Sequence, residues 1–213
     1  MKLFRILVVS MALGSLPAAL AQKWEFGGGV GTGFYTPKDI TSPAGTASAK
    51  IDSNIAGSAW IGNDKGRWAG EIRYDYQRGA LALNQDSTHA TFGAESHAMH
   101  YDFLWQPSSG EARVRPFVSF GGGIKIYRGT GTEAVVQPLS KIALLTKAQD
   151  LLPMASFGAG FKVALSPRLQ LRLELHDYLT PFPKQVITPA VNGSVGSMWI
   201  NDFVPMVALA FVN

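Results

Sequence analysis

The sequence predicts an all-β fold: an eight-stranded antiparallel up-and-down transmembrane β-barrel. Three observations lead there. Eight segments put apolar residues at every second position, with charged or small residues between them. That is the period of a strand with one greasy face. Short and long connections alternate along the chain, as in barrels with tight turns on one side of a membrane and loops on the other. No apolar run beyond residue 21 approaches the roughly 20 residues that a spanning helix needs.

Residues 1–21 stand apart from the barrel. Lys2 and Arg5 make a positive start, residues 3–13 are largely apolar, and Ala19-Leu20-Ala21 is a small-x-small site. This is the pattern of a secretory signal peptide cleaved after Ala21. An N-terminal membrane anchor is the alternative, disfavoured by the short apolar stretch and by Pro17. The barrel domain is then 22–213. Losing Lys2 and Arg5 lowers the formal net charge from +4 to +2. So mild a charge, with no Lys/Arg cluster, argues against a nucleic-acid partner. The chain has no cysteine, hence no disulfide staple and no Cys-linked lipid.

The segments follow in order. The first sets Trp24, Phe26, Val30 and Phe34 against Lys23, Glu25 and a run of glycines at 27, 29, 31 and 33. The second, about 51–61, sets Ile51, Ile55, Ala59 and Ile61 against Asp52, Asn54 and Ser58. In the third, Trp68, Ile72, Tyr74 and Tyr76 alternate with Arg67, Glu71, Arg73, Asp75 and Gln77. In the fourth, Met99, Tyr101, Phe103 and Trp105 alternate with His100, Asp102 and Leu104. The fifth sets Val114, Val118, Phe120, Ile124 and Ile126 against Arg115, Ser119, Gly121, Gly123 and Lys125. The sixth has Ala155, Phe157, Ala159, Phe161, Val163 and Leu165 opposite Ser156, Gly158, Gly160 and Lys162. The seventh has leucines at 169, 171, 173 and 175 opposite Gln170, Arg172, Glu174 and His176. The eighth points Phe203, Val207, Leu209 and Phe211 outward.

Short turns are expected at 62–66, 107–110 and 166–168, and long loops at 37–50, 79–90, 129–150 and 180–198. Both termini then fall on the short-turn, periplasmic side. Aromatic residues near strand ends suit two interface girdles. Trp24, Trp68, Trp105 and Phe211 form the periplasmic one; Phe34, Tyr76 and Trp199 form the outer one. Ordinary core aromatics of a soluble sandwich or lipocalin-like barrel are the alternative, because the alternation does not say which parity faces inward. Pro116 and Pro205 fall inside predicted strands and are expected to mark bulges or strand beginnings. Residues 138–148 are expected to form a short helix over the barrel mouth or against a partner.

The inward parity carries Glu25, Glu71, Asp75, Asp102 and Glu174 with Arg73, Arg115, Lys125, Lys162 and Arg172. Buried charges in balance should pair, since an unpaired one costs several kcal/mol. An ion-pair network of Glu71, Arg73, Arg172, Glu174, Lys125 and Lys162 is therefore expected. Its centre is the third and seventh strands, which face each other across the lumen in space left by the glycines of the first and fifth. Such a network would plug the barrel.

No catalytic set is found, and no cofactor or metal is expected. His97 and His100 are three apart on a strand and point to opposite faces. There is no G-x-S-x-G elbow. Gly27-Gly28-Gly29-Val30-Gly31 lies inside a strand with no helix after it, so it is no nucleotide loop.

The runs 115–125 (RPFVSFGGGIK), 156–162 (SFGAGFK) and 171–178 (LRLELHDY) resemble the outer-membrane β-barrel family related to the OmpA transmembrane domain. The resemblance covers essentially the whole chain after residue 21. It implies residence in the bacterial outer membrane and a structural or surface-interaction role: envelope integrity, adhesion or ligand contact through outer loops. It implies no enzymatic activity; a narrow pore for small solutes and a lipid-modifying enzyme are the alternatives. Outer-membrane lipid, lipopolysaccharide and the barrel assembly machinery are the implied partners of a monomer. Lipid A deacylases of that membrane use a Ser–His–Glu site with a His-x-Ser motif, and here Tyr178 stands two residues after His176. The peptidoglycan-binding domain of OmpA proper has no counterpart in this sequence. Family barrels end on an aromatic residue that the assembly machinery reads; here Phe211 precedes Val212 and Asn213.

Overall fold

The computed structural model describes residues 23–108, 112–134 and 136–213. The predicted signal segment, with Ala19 and Ala21, lies outside the described residues. The strands, in chain order, are β1 (Lys23–Gly31), β2 (Phe34–Tyr35), β3 (Lys38–Ser42), β4 (Gly45–Lys65), β5 (Trp68–Gln85), β6 (Thr88–Trp105), β7 (Val114–Gly129), β8 (Ala143–Leu145), β9 (Gln149–Ser166), β10 (Leu169–Pro181), β11 (Ile187–Pro189), β12 (Ser194–Val195) and β13 (Trp199–Val212).

Eight of these, β1, β4, β5, β6, β7, β9, β10 and β13, pair antiparallel with their neighbours around a ring. β1 closes it, because Phe26 lies opposite Phe211 on one side and Ile61 on the other. Closure leaves no unpaired edge, the condition for a sheet to stand in lipid. The two termini meet at one end of the barrel, where the Asn213 N–H donates to the Trp24 carbonyl at 3.0 Å. The same end holds the tight turns, two residues long between β4 and β5 and between β9 and β10. Gly66 supplies the positive φ (+84°) that the first of these requires.

Burial settles the orientation that alternation alone left open. Phe26, Val30, Ile61, Trp68, Ile72, Tyr101, Phe103, Phe120, Phe157, Leu173, Leu175, Val207 and Leu209 are exposed on the outer wall. Glu25, Glu71, Arg73, Asp75, His100, Asp102, Lys125, Lys162, Arg172, Glu174 and Asp202 are buried inside it. A water-soluble protein would place these sets the other way round. An apolar band around a polar lumen fits a membrane barrel.

The strands do not stop at the membrane boundary. Residues 79–90, expected as a loop, are the paired ends of β5 and β6, joined by Asp86-Ser87 with Asp86 at φ +49°. Residues 37–50 contain the β3–β4 hairpin rather than an open loop. In this outer storey the usual arrangement of a soluble protein returns. Ile40, Ala47, Ala49, Leu81, Leu83, Ala90, Phe92 and Ile200 fill the inside, while Thr46, His89 and Thr91 face out.

Three local expectations change. Residues 138–148 form a turn followed by β8, not a helix. Leu139 takes φ +63°, and the Gln137 side-chain amide both donates to the Leu145 carbonyl (2.7 Å) and accepts from its N–H (3.0 Å). β8 pairs with β11, and Ile142, Ala143, Leu145, Val186 and Ile187 close the mouth from above. Ile51 is buried although Ile55 faces out, because a bulge between Ser53 and Ile55 reverses the parity of β4. The prolines sit in regular ladder, not at bulges. Pro116 lies opposite Phe161 of β9, beyond the end of β6, where Trp105 meets Val118. Pro205 lies where the ladder passes from β1 to β2: its carbonyl accepts from Thr32 at 3.4 Å, so its missing donor faces that gap.

Candidate functional site

The lumen is the chemically richest part of the molecule. Its side chains lie in tiers because successive inward positions on each strand differ by two residues. The largest tier joins Glu25, Glu71 and Glu174 to Arg73, Arg172 and Lys162, three acids to three bases. Arg73 reaches Glu71 at 2.8 Å and Glu174 at 2.8 Å. Arg172 reaches Glu25 at 2.6 Å, Glu71 at 2.8 Å and, through Nε, Glu174. Lys162 completes the set on Glu25 at 2.7 Å. Both guanidinium groups are inaccessible to solvent.

Trp60 holds this tier in place. The Arg172 and Arg73 guanidinium carbons lie 4.4 Å and 4.7 Å from its ring centroid, and its Nε1–H donates to Glu25 at 3.2 Å. Stacking of guanidinium on indole is favourable when both are desolvated. The indole lies over Gly27, where a Cβ would come within 2.0 Å of it. Neighbouring side chains thus fill the space that the inward glycines leave: Trp60 over Gly27, and Asp102 beside Gly121.

In the middle tier His100 bridges Asp75 (2.8 Å) and Asp102 (2.9 Å). Ser156 donates to Asp102 at 3.2 Å and Tyr178 to Asp75 at 3.1 Å. His176 contacts Glu174 at 2.9 Å and stacks on Tyr178. The outer tier is separate. Lys125 pairs with Asp202 at 2.5 Å, beneath the rings of Tyr35, Tyr127 and Tyr178. Gln77 links Asp202 (2.6 Å) to Tyr35 (2.9 Å). At the terminal end Arg115 pairs with Asp64 at 2.8 Å.

Of the six residues expected to form one network, the structure joins Glu71, Arg73, Arg172 and Glu174 directly. Lys162 is linked to them through Glu25, and Lys125 sits apart on Asp202. Sequence reasoning missed Trp60 and Asp202. Trp60 shares its parity with Ser58, and the alternating signal of its strand is weak. Asp202 stands just before Phe203, the first residue assigned to the eighth segment, and so falls outside the predicted inward set. Among the girdle residues, Trp68 pairs with Trp105 on the outer wall at the terminal end of the barrel, the end that also carries Trp24 and Phe211. Phe34 lies opposite Phe203. Tyr76 is within β5, where the outer wall turns from apolar to charged, with its hydroxyl donating to Glu95 at 3.4 Å. Among the described residues no group of His, Cys, Asp and Glu is arranged to hold a metal ion.

No protein-family model matches the sequence, and no curated protein matches it. Solved structures do match. Neisserial surface protein A (NspA) superposes with a TM-score of 0.53 at 8% identity, over 88% of this chain and 96% of that one. The N-terminal β-barrel domain of Pseudomonas aeruginosa OprF gives 0.49 at 14% identity, over 90% and 97%. Ail, the attachment invasion locus protein of Yersinia pestis, gives 0.46 at 6% identity, over 90% and 99%. With a closed ring of eight strands, an apolar wall and a polar lumen, this chain is an integral β-barrel of the bacterial outer membrane. Its fold is the eight-stranded one on which NspA superposes.

Proposed function

We propose that this barrel is a closed, non-conducting, monomeric scaffold that acts through the surface it presents outside the membrane. Its role is structural or one of surface contact, and it is not an enzyme. The observation that carries the reading is that the lumen is blocked twice. The tiers of ion pairs cross the membrane-spanning half, and the apolar core beneath β8 and β11 fills the outer half. The outer connections expose Val136, Val191 and Met198, apolar tips suited to contact with another molecule. Planar-bilayer recording tests the closed lumen. The purified barrel should give no reproducible conductance, and a stable open state would contradict the reading.

A further inference from the structure

The β5–β6 hairpin outruns its neighbour on one side. β5 stays paired with β6 up to Gln85 and Thr88, whereas β7 leaves β6 at Gly129, opposite Ala94. Thr130 and Gly131 then both donate to the Gly93 carbonyl, at 2.7 Å and 3.2 Å, and the chain leaves the ladder. Backbone groups on a strand point alternately to its two sides. The N–H and C=O of Thr91 and His89 therefore face the same way as the Gly93 carbonyl. Among the described residues neither finds a backbone partner there, and both residues are exposed. Edge strands are ordinarily blunted by Lys, Pro or a bulge; residues 88–92 carry none of these.

A cavity of about 150 Å³ lies against this edge. Phe92, Ala134, Pro138 and Leu145 give it apolar walls, and His89 and Thr91 border it. A cavity of that size takes one benzene-sized group, and it falls short of the roughly 300–1,000 Å³ of small-molecule pockets. Unpaired backbone groups at strand spacing, beside a pocket for one apolar side chain, are what recognises an extended peptide. A second copy fits the edge poorly. Two barrels in one membrane, related by a twofold axis along its normal, would set the Thr91 N–H against its own counterpart at the same height. Two donors face to face make no ladder.

We propose that the open edge at residues 89–91 captures an extended segment of another protein, which adds a strand to the sheet and seats one apolar side chain in the cavity. The inference rests on the surface-contact reading and names the kind of partner. A conducting lumen would contradict that reading and leave the pairing intact, whereas failure to pair would leave the lumen closed. The full barrel in lipid nanodiscs tests it, with the blocked, dye-labelled peptide KTVTFTVK and the same peptide N-methylated along its centre as probes. Fluorescence anisotropy should show saturable binding of the first and at least about tenfold weaker binding of the second. Bound peptide should slow amide exchange at His89 and Thr91, while Ala90 and Phe92, already bonded to β5, change little. Thr91→Pro removes an edge donor without touching the β5 ladder and should weaken binding about tenfold. Ala134→Phe fills the cavity, leaves the edge intact and should weaken binding similarly. Heat-dependent gel migration checks that each variant is folded. The proposal fails if the native barrel binds neither peptide or both equally, if exchange at 89 and 91 is unchanged, or if both variants bind like the native protein. Self-association that Thr91→Pro abolishes would assign the edge to a second copy and overturn the proposal.

Discussion

Replacing Arg172 with Met gives the sharpest test of the lumen. The side chains are similar in length, so the perturbation is chiefly electrostatic. The guanidinium touches three carboxylates, those of Glu25, Glu71 and Glu174, and stacks on Trp60. Removing one partner from a buried pair costs about 3–5 kcal/mol. None of the three acids is left alone: Glu25 keeps Lys162, Glu71 keeps Arg73, and Glu174 keeps Arg73 and His176. That places the cost near the lower bound, about 3 kcal/mol, or roughly a hundredfold in the unfolding equilibrium. The tier would then hold three acids against two bases. Adding Glu71→Gln restores the balance while leaving Arg73 on Glu174 and Lys162 on Glu25, and should recover about 1 kcal/mol or more, a non-additivity expected of groups in one network. Urea unfolding in lipid bilayers, followed by tryptophan fluorescence and gel migration, measures both variants. An Arg172→Met barrel within about 0.5 kcal/mol of the native one would refute the reasoning, as would strict additivity in the double variant.

Gly27→Ala drives a methyl group into the Trp60 indole and should cost about 1–3 kcal/mol, relieved by adding Trp60→Leu; the same unfolding assay reads it. Leu173→Arg places a charge on the outer wall of the membrane half and should cost about 2–4 kcal/mol. Thr91→Arg, outward on the outer storey, should stay within about 0.5 kcal/mol. Leu83→Ala removes a fully buried side chain from the outer core and should cost about 2–5 kcal/mol, without altering the oligomeric state seen by light scattering.

Strand number, parity and the turn at 166–168 were legible because a lipid-facing wall forces an apolar residue at every second position; the turn expected at 62–66 is Gly66-Arg67, since 62–65 still pair in β4, and the one expected at 107–110 lies partly outside the described residues. Trp68, Ile72 and Tyr74 leave little choice of register. The lumen quartet was legible from charge balance, since Glu71 and Arg73 on one strand meet Arg172 and Glu174 on another. The outer storey was not. Leu81 and Leu83 keep the inward parity of Glu71 and Arg73, so the period is unbroken while the polarity of the two faces reverses. A search for apolar-outward strands ends where that reversal begins and reads the remainder as loop. The bulge at Ser53/Ile55 hid Ile51 in the same way, because one extra residue exchanges the faces. The residues of β8 read as helical because Leu and Ile recur at short intervals, while the side-chain clamp from Gln137 is visible only in three dimensions.

The central claim is that one continuous sheet is greasy outside in its membrane half and greasy inside above it. The chain has no native cysteine, so single spin labels placed along β6 in a reconstituted barrel test it directly. Labels at 99, 101 and 103 should be relaxed by oxygen and shielded from a water-soluble nickel reagent, while labels at 89 and 91 should show the reverse. Equal nickel accessibility at all five positions, or oxygen preference at 89 and 91, would contradict the account.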